Sequence, residues 1–203
     1  MFLVFIYRIF SLSDKDELKI IQVIKLKVMF TELRTMDINC FLDKCQNHAF
    51  RYACKITRDE SKRKTEVQCD YEKNFEDKQQ NSVYILTFDQ KIKKIGGTKN
   101  GWKSRWSSYL CGMHSTERGG SGKCSVTNEE VYNSLVSNVD SKSIDVYVWE
   151  IPPAKIIRTI LGEEVEINAT VFEAYETKLI ELYKKLNNGS QPLLNKNSDP
   201  KHR

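Results

Sequence analysis

The chain has 203 residues, 40% of them hydrophobic and 10% aromatic, which is enough apolar material for a sizeable core and excludes global disorder. Lysine and arginine outnumber aspartate and glutamate by 32 to 27, a formal charge of +5, and such a balance alone argues only weakly for an anionic partner. Six cysteines are too sparse for a disulfide scaffold and no cleavable leader precedes them, so reduced thiols and an intracellular, cytoplasmic location are expected.

The opening MFLVFIYRIF is apolar over too short a stretch to span a bilayer, and no membrane partner is expected. Residues 17–30, ELKIIQVIKLKVMF, carry an amphipathic pattern, while Met29 and Met36 offer alternative starts. Residues 1–35 are therefore set apart as an N-terminal segment of doubtful origin. Residues 36–56 read as helical from the spacing of Ile38, Phe41, Leu42 and Cys45, and residues 57–80 read as a densely charged, exposed connector. Together, residues 36–80 form a helical and charged extension. Cys40, Cys45, His48, Cys54 and Cys69 fall at C-x4-C-x2-H-x5-C-x14-C. A zinc-binding regulator is one reading of that spacing; without a C-x2-C knuckle, partly buried thiols are the plainer one.

The main domain spans residues 81–197, ahead of a polar tail at 198–203. SVYILTF (82–88) is β-branched and aromatic, hence a strand, with Asp89-Gln90 as its turn. KIKKIGG returns as a second strand with Ile92 and Ile95 inward, and Gly96-Gly97 permits close backbone approach. A short helix from Trp102 to Leu110 precedes a glycine-rich loop, and Thr127 with Glu130 forms a capping box for the next helix. IDVYVWEI (144–151) is a third strand, stopped by Pro152-Pro153, and a long helix runs from Thr170 to Leu186. The fold class is α+β: a small, mainly antiparallel three-stranded sheet flanked by helices, with a helical N-terminal extension.

Charge is concentrated rather than spread. Lys91 to Arg105 holds six basic residues and no acidic one, and no acid occurs before Glu117. Adjacent hairpin strands can bring Tyr84 and Lys94 to one face, and a helix packed over them can direct Arg105 to the same place.

With these residues in place, VYI, KKIGGTKN and SR resemble the signature of the GIY-YIG nuclease superfamily. Lys94 stands where most members have the second motif tyrosine, as in a branch of type II restriction endonucleases. The resemblance continues through SSYLCG (107–112), GSGKCSVTN (120–128), VYNSL and YETKLIELY, over about residues 82–195. It implies a GIY-YIG nuclease fold with Tyr84, Lys94, Arg105 and Glu176 as catalytic residues. Glu176 would hold one Mg²⁺, for which Mn²⁺ can substitute. Arg105 would hold the phosphate through its planar fork. Tyr84 would be the general base beside a charged Lys94, or a neutral Lys94 would take the proton itself.

The implied activity is sequence-specific hydrolysis of double-stranded DNA by a homodimer, whose two-fold axis would match a palindromic site. DNA contacts are expected from Lys91, Lys93, Lys99, Lys103 and Arg118. His114 and Asn195 are supporting candidates; some relatives carry a histidine three residues after the lysine, where this chain has Gly97. A phage, mobile-element or repair nuclease on the same fold, and a DNA-binding module with a degenerate site, are the alternatives.

Overall fold

The computed structural model describes residues 35–45, 50–61, 66–112 and 124–195. His48, His114 and Arg118, named above, lie outside them. The described elements are α1 (Ile38–Leu42), β1 (Arg51–Arg58), β2 (Val67–Tyr71), β3 (Ser82–Phe88), β4 (Lys91–Thr98), α2 (Gly101–Leu110), α3 (Val126–Asn138), β5 (Ile144–Glu150), β6 (Ala154–Ile160), β7 (Glu163–Ala169) and α4 (Phe172–Leu186). No helix among the described residues is long and apolar enough to cross a membrane.

The architecture is α+β, but its main sheet has five strands in the order β2-β1-β5-β3-β4, all neighbours antiparallel. The expected three strands are its β5-β3-β4 portion. The other two come from the segment expected to be helical and then connecting. There the helical spacing holds only through α1, and RYACKITR is a strand with a bulge between Tyr52 and Cys54. VQCDY alternates inward Val67, Cys69 and Tyr71 with outward Gln68 and Asp70, the pattern of a charged edge strand. A separate hairpin, β6-β7, occupies the stretch between the Pro-Pro pair and the last helix.

The sheet is the middle layer. Tyr84, Leu86 and Phe88 pack with Trp102, Trp106, Tyr109 and Leu135 of α2 and α3 on one face. Val83, Ile85, Ile92 and Ile95 pack with Phe41 of α1 and Leu179, Ile180 and Tyr183 of α4 on the other. β3 is covered on both sides, which explains why all seven of its residues are buried. Ile92 and Ile95 are three apart, yet both face α4. A strand permits that only through a bulge, and the β3-β4 register shifts between Leu86 and Thr87, leaving Lys93 as the extra residue. Asp89 and Gln90 both have positive φ, 48° and 62°, as the hairpin turn requires.

Ser125, not Thr127, caps α3, accepting a hydrogen bond from the Asn128 N–H at 3.2 Å. The cysteines are divided by the sheet. Cys54 packs with the α2–α3 core, Cys69 lies against that core and Cys45 against the opposite one. Burial, reinforced by Cys54, pushes the Cys69 thiol far above its ordinary pKa, which disfavours the thiolate that zinc would need.

Candidate active site

The site begins where β3 and β4 are forced close together. Tyr84 pairs with Gly96, so its ring lies across the glycine backbone. A methyl group on Gly96 would sit 2.2 Å from the Tyr84 hydroxyl oxygen. On the same face, α2 presents Trp102, Arg105, Trp106 and Tyr109 at helical spacing. The Tyr84 ring packs 5.0 Å from that of Trp102, and its hydroxyl is hydrogen-bonded to the Tyr109 hydroxyl. Arg105 Nε donates to the Tyr84 hydroxyl at 3.3 Å, while the guanidinium lies 4.5 Å over the Tyr109 ring.

The start of α2 is fixed from outside the helix. Asn100 gives no side-chain cap, and Asp77 instead accepts the Lys103 N–H at 2.7 Å. Gly101, at φ 81°, is the residue that lets Asp77 approach, because a methyl there would lie 2.0 Å from Asp77 Oδ1. Part of the segment read as a connector therefore aims the helix that carries Arg105.

Glu176 reaches the same place around the edge of β4. It is buried on α4, and a methyl group on Gly97 would meet its Oε2 at 2.9 Å and the Phe172 ring at 2.3 Å. Consecutive glycines thus serve opposite faces: Gly96 admits Tyr84 and Gly97 admits α4. Phe172 fills the space that a side chain at position 97 would occupy.

The electrostatics follow from this packing. Burial pushes the Tyr84 phenol above its ordinary pKa; the Arg105 charge and hydrogen bonds from Tyr109 and Arg105 pull it down, and Glu176 adds to the rise. Tyr109 is raised further, by burial and then by Tyr84. Burial opposes the charge on Arg105, but the two phenol oxygens outweigh it and hold the guanidinium firmly protonated.

Lys94 shares the Tyr84 face of the hairpin, being paired with Leu86, but its ammonium donates to the Leu194 carbonyl at 3.0 Å. Arg105 is a cation in contact with the Tyr84 hydroxyl. Asn195 acts as one more strand residue on the open edge of β4: its Oδ1 accepts the Ile95 N–H at 2.9 Å and its Nδ2 donates to the Ile95 carbonyl at 2.6 Å. With Leu194 N–H on the Lys93 carbonyl at 2.9 Å, residues 194–195 clamp the bulged strand beside the site.

No protein-family model and no curated protein sequence matches this chain. Among solved structures, restriction endonuclease HPY188I in complex with product DNA superposes with a TM-score of 0.50 and 23% identity, over 80% of this chain and 87% of that one. The chain shares its fold with that restriction enzyme. A mutant of bacteriophage T4 EndoII is similar over 75% of this chain and 96% of its own, with 14% identity and a TM-score of 0.49. The 80% coverage exceeds what Ser82 onward can supply, so the fold shared with HPY188I reaches into the N-terminal part.

Of the basic residues expected to meet DNA, the structure leaves Lys99 and Lys103 exposed just beyond Gly97. Lys91 pairs with Asp37 at 3.4 Å at the far end of the hairpin, and Lys93 is buried in the bulge. Alanine at Lys99 is therefore expected to weaken DNA binding and to lower the log–log salt slope by about 1. Titrations at several salt concentrations check this; an unchanged slope removes Lys99 from the interface.

Glu176 is the residue of the site that could hold a metal ion. No group of three or more His, Cys, Asp or Glu side chains gathers among the described residues, so the carboxylate is the ligand on offer. A hard dication that keeps most of its waters fits one carboxylate, whereas zinc, which prefers three or four nitrogen and sulfur ligands, does not. Tyr109 is the site residue that sequence reasoning missed. Its signal was the four-residue step from Arg105, one helical turn along the same face.

Proposed function

We propose that the chain is a Mg²⁺-dependent endonuclease of the GIY-YIG type, most akin to the restriction branch, which hydrolyses phosphodiester bonds of double-stranded DNA at specific sequences as a homodimer in the cytoplasm. The observation that carries this reading is the convergence at Gly96-Gly97. A phenol, a guanidinium and a carboxylate from three separate elements meet around one strand edge. The fold shared with a restriction endonuclease bound to product DNA supports the same reading.

Hydrolysis needs an attacking water deprotonated, the phosphorane charge compensated and the leaving oxygen stabilised. Glu176 would hold the Mg²⁺, which when bound would supply Lewis-acid stabilisation of charge on the phosphate. Arg105 would grip a phosphate oxygen through its planar fork. In this structure the guanidinium covers a Tyr84 hydroxyl that is only 1% exposed as a residue. A phosphate that draws Arg105 outward would uncover the Tyr84 oxygen, which, with its own proton first lost to solvent, would accept the proton of the water as the phenolate. Tyr109 would steady the phenolate through its hydrogen bond. Lys94 would keep β4 in register through Leu194 and add positive charge to the face, a supporting role rather than the proton acceptor.

Phenylalanine at Tyr84 is expected to lower the cleavage rate by about two to four orders of magnitude. The pH profile gives the sign. A phenol raised above its ordinary value is almost wholly protonated at neutral pH, so the phenolate fraction and the rate should rise about tenfold per pH unit from 7 to 9. The phenylalanine variant should lose that slope. Plasmid cleavage with and without Mg²⁺ tests the whole reading, and a protein that binds DNA but never cuts it would be the degenerate module instead.

A further inference from the structure

The β6-β7 hairpin has no role in the site. Among the described residues its strands pair only with each other, and a lone two-stranded ribbon is at best marginally stable in water. The register sets Ala154, Ile156, Arg158 and Ile160 opposite Ala169, Ile167, Val165 and Glu163 on one face. That face is mostly apolar, and Ile156, Ile160, Val165 and Ile167 are each more than a third exposed. The other face is mostly polar, with Lys155 paired to Glu166 at 2.7 Å. The tip is more unusual. Leu161 and Gly162 take φ of 52° and 87°, the turn in which asparagine or glycine is normal at the first position. Leucine is strained there, and it is fully exposed, at 101%.

A second apolar surface lies at the base of this ribbon. Cys45, Trp149, Tyr175 and Leu182 line an apolar groove of about 460 Å³, with Lys44 and Lys178 beside them. Trp149 is the last residue but one of β5, before the ribbon, and Tyr175 lies in the first turn of α4, after it, their rings 5.1 Å apart and edge to face. A seven-residue strand extends roughly 23 Å, so the tip stands well away from the groove of its own protomer. The ribbon carries Lys155 and Arg158 but also Glu163, Glu164 and Glu166, three acids against two bases. Acidic residues next to the tip disfavour DNA phosphates and match Lys44 and Lys178 of the groove, the latter by exchanging its exposed ion pair with Glu181, 2.7 Å away, for the incoming acid.

We propose that β6 and β7 form an arm exchanged between two copies of this chain. Each ribbon lays Leu161 and its apolar face into the groove beside Trp149 and Tyr175 of the other copy, with Glu163 and Glu164 against Lys44 and Lys178. Two such contacts related by a two-fold axis close the assembly as a dimer. The proposal builds on the homodimer of the preceding reading but not on its chemistry.

Sedimentation velocity of the full chain over micromolar concentrations tests it. The wild type is expected to dimerise, and Leu161→Asp to weaken the dimer by about ten- to hundredfold, because each copy loses a buried leucine. Charge reversal of Glu163 and Glu164 to lysine should weaken it too, and the further changes Lys44→Glu and Lys178→Glu should restore it. Leu161→Cys treated with copper phenanthroline should give a covalent dimer that is lost on adding Cys45→Ser. A monomeric wild type, or a dimer indifferent to Leu161→Asp and without the Cys45-dependent crosslink, overturns the arm. A monomer that cuts plasmid DNA would sink the arm and spare the nuclease, whereas an arm-dependent dimer that never cuts would do the reverse.

Discussion

Glutamine at Glu176 is expected to reduce DNA cleavage by at least about three orders of magnitude while leaving the fold and metal-free DNA binding intact. The substitution keeps the length and shape of a buried side chain that packs beside Phe172 and Gly97, so the change is one of charge. Its side effect on the neighbouring base runs the other way. The Glu176 carboxylate raises the Tyr84 pKa, so its removal makes the phenol slightly more acidic and a better source of phenolate. Lost activity could not then be assigned to Tyr84. A second readout needs no catalysis: Mg²⁺ should raise the melting temperature of the wild type, as any ligand confined to the native state does, and should leave that of the glutamine variant unmoved. Cleavage near the wild-type rate, or an equal thermal shift in both proteins, would remove Glu176 as the metal ligand.

What the sequence revealed depended on whether a residue's role was local. SVYILTF, KIKKIGG and the last helix were legible because strand and helix periodicity repeat within a few residues. Tyr84, Arg105 and Glu176 could be picked out by type and order; Arg105 hydrogen-bonds Tyr84 beside Gly96, and Glu176 lies against the adjoining Gly97. Residues 51–71 were less legible. Residues 51–56 read as the end of a helix, and the lysines, arginines and acids from residue 57 onward suggested a connector, although an edge strand needs such residues on its outer face, and VQCDY carried the alternation. The β6-β7 hairpin was missed because its turn is Leu-Gly rather than Asn-Gly. The bulge at Lys93 was implicit in the three-residue step from Ile92 to Ile95, which a regular strand cannot place on one face. The placement of Lys94 could not be inferred locally, since it donates to the carbonyl of Leu194, a hundred positions away.

Alanine at Gly96 should disable the site without touching a polar group. The added methyl would lie 2.2 Å from Oη, 2.4 Å from Cζ and 2.8 Å from Cε1 of Tyr84, closer than real contacts allow. The ring has nowhere to retreat, because it is buried against Trp102 and Tyr109. Either the β3-β4 backbones part or the phenol tilts away from Arg105 Nε and the Tyr109 hydroxyl. Overpacking of this kind costs about 1–3 kcal/mol of stability, and displacing a reacting oxygen by about 1 Å costs about a hundredfold in rate. Both losses should appear together, as a lower melting temperature and a lower kcat. The loss of rate should also be non-additive with Tyr84→Phe, because both substitutions act on the same hydroxyl. In the phenylalanine background, alanine at Gly96 should still destabilise the protein, since the clash with the ring carbons remains, yet remove little further activity. Full cleavage by the alanine variant alone would show that Tyr84 need not sit against Gly96 for catalysis, and the hairpin would lose its place at the centre of the site.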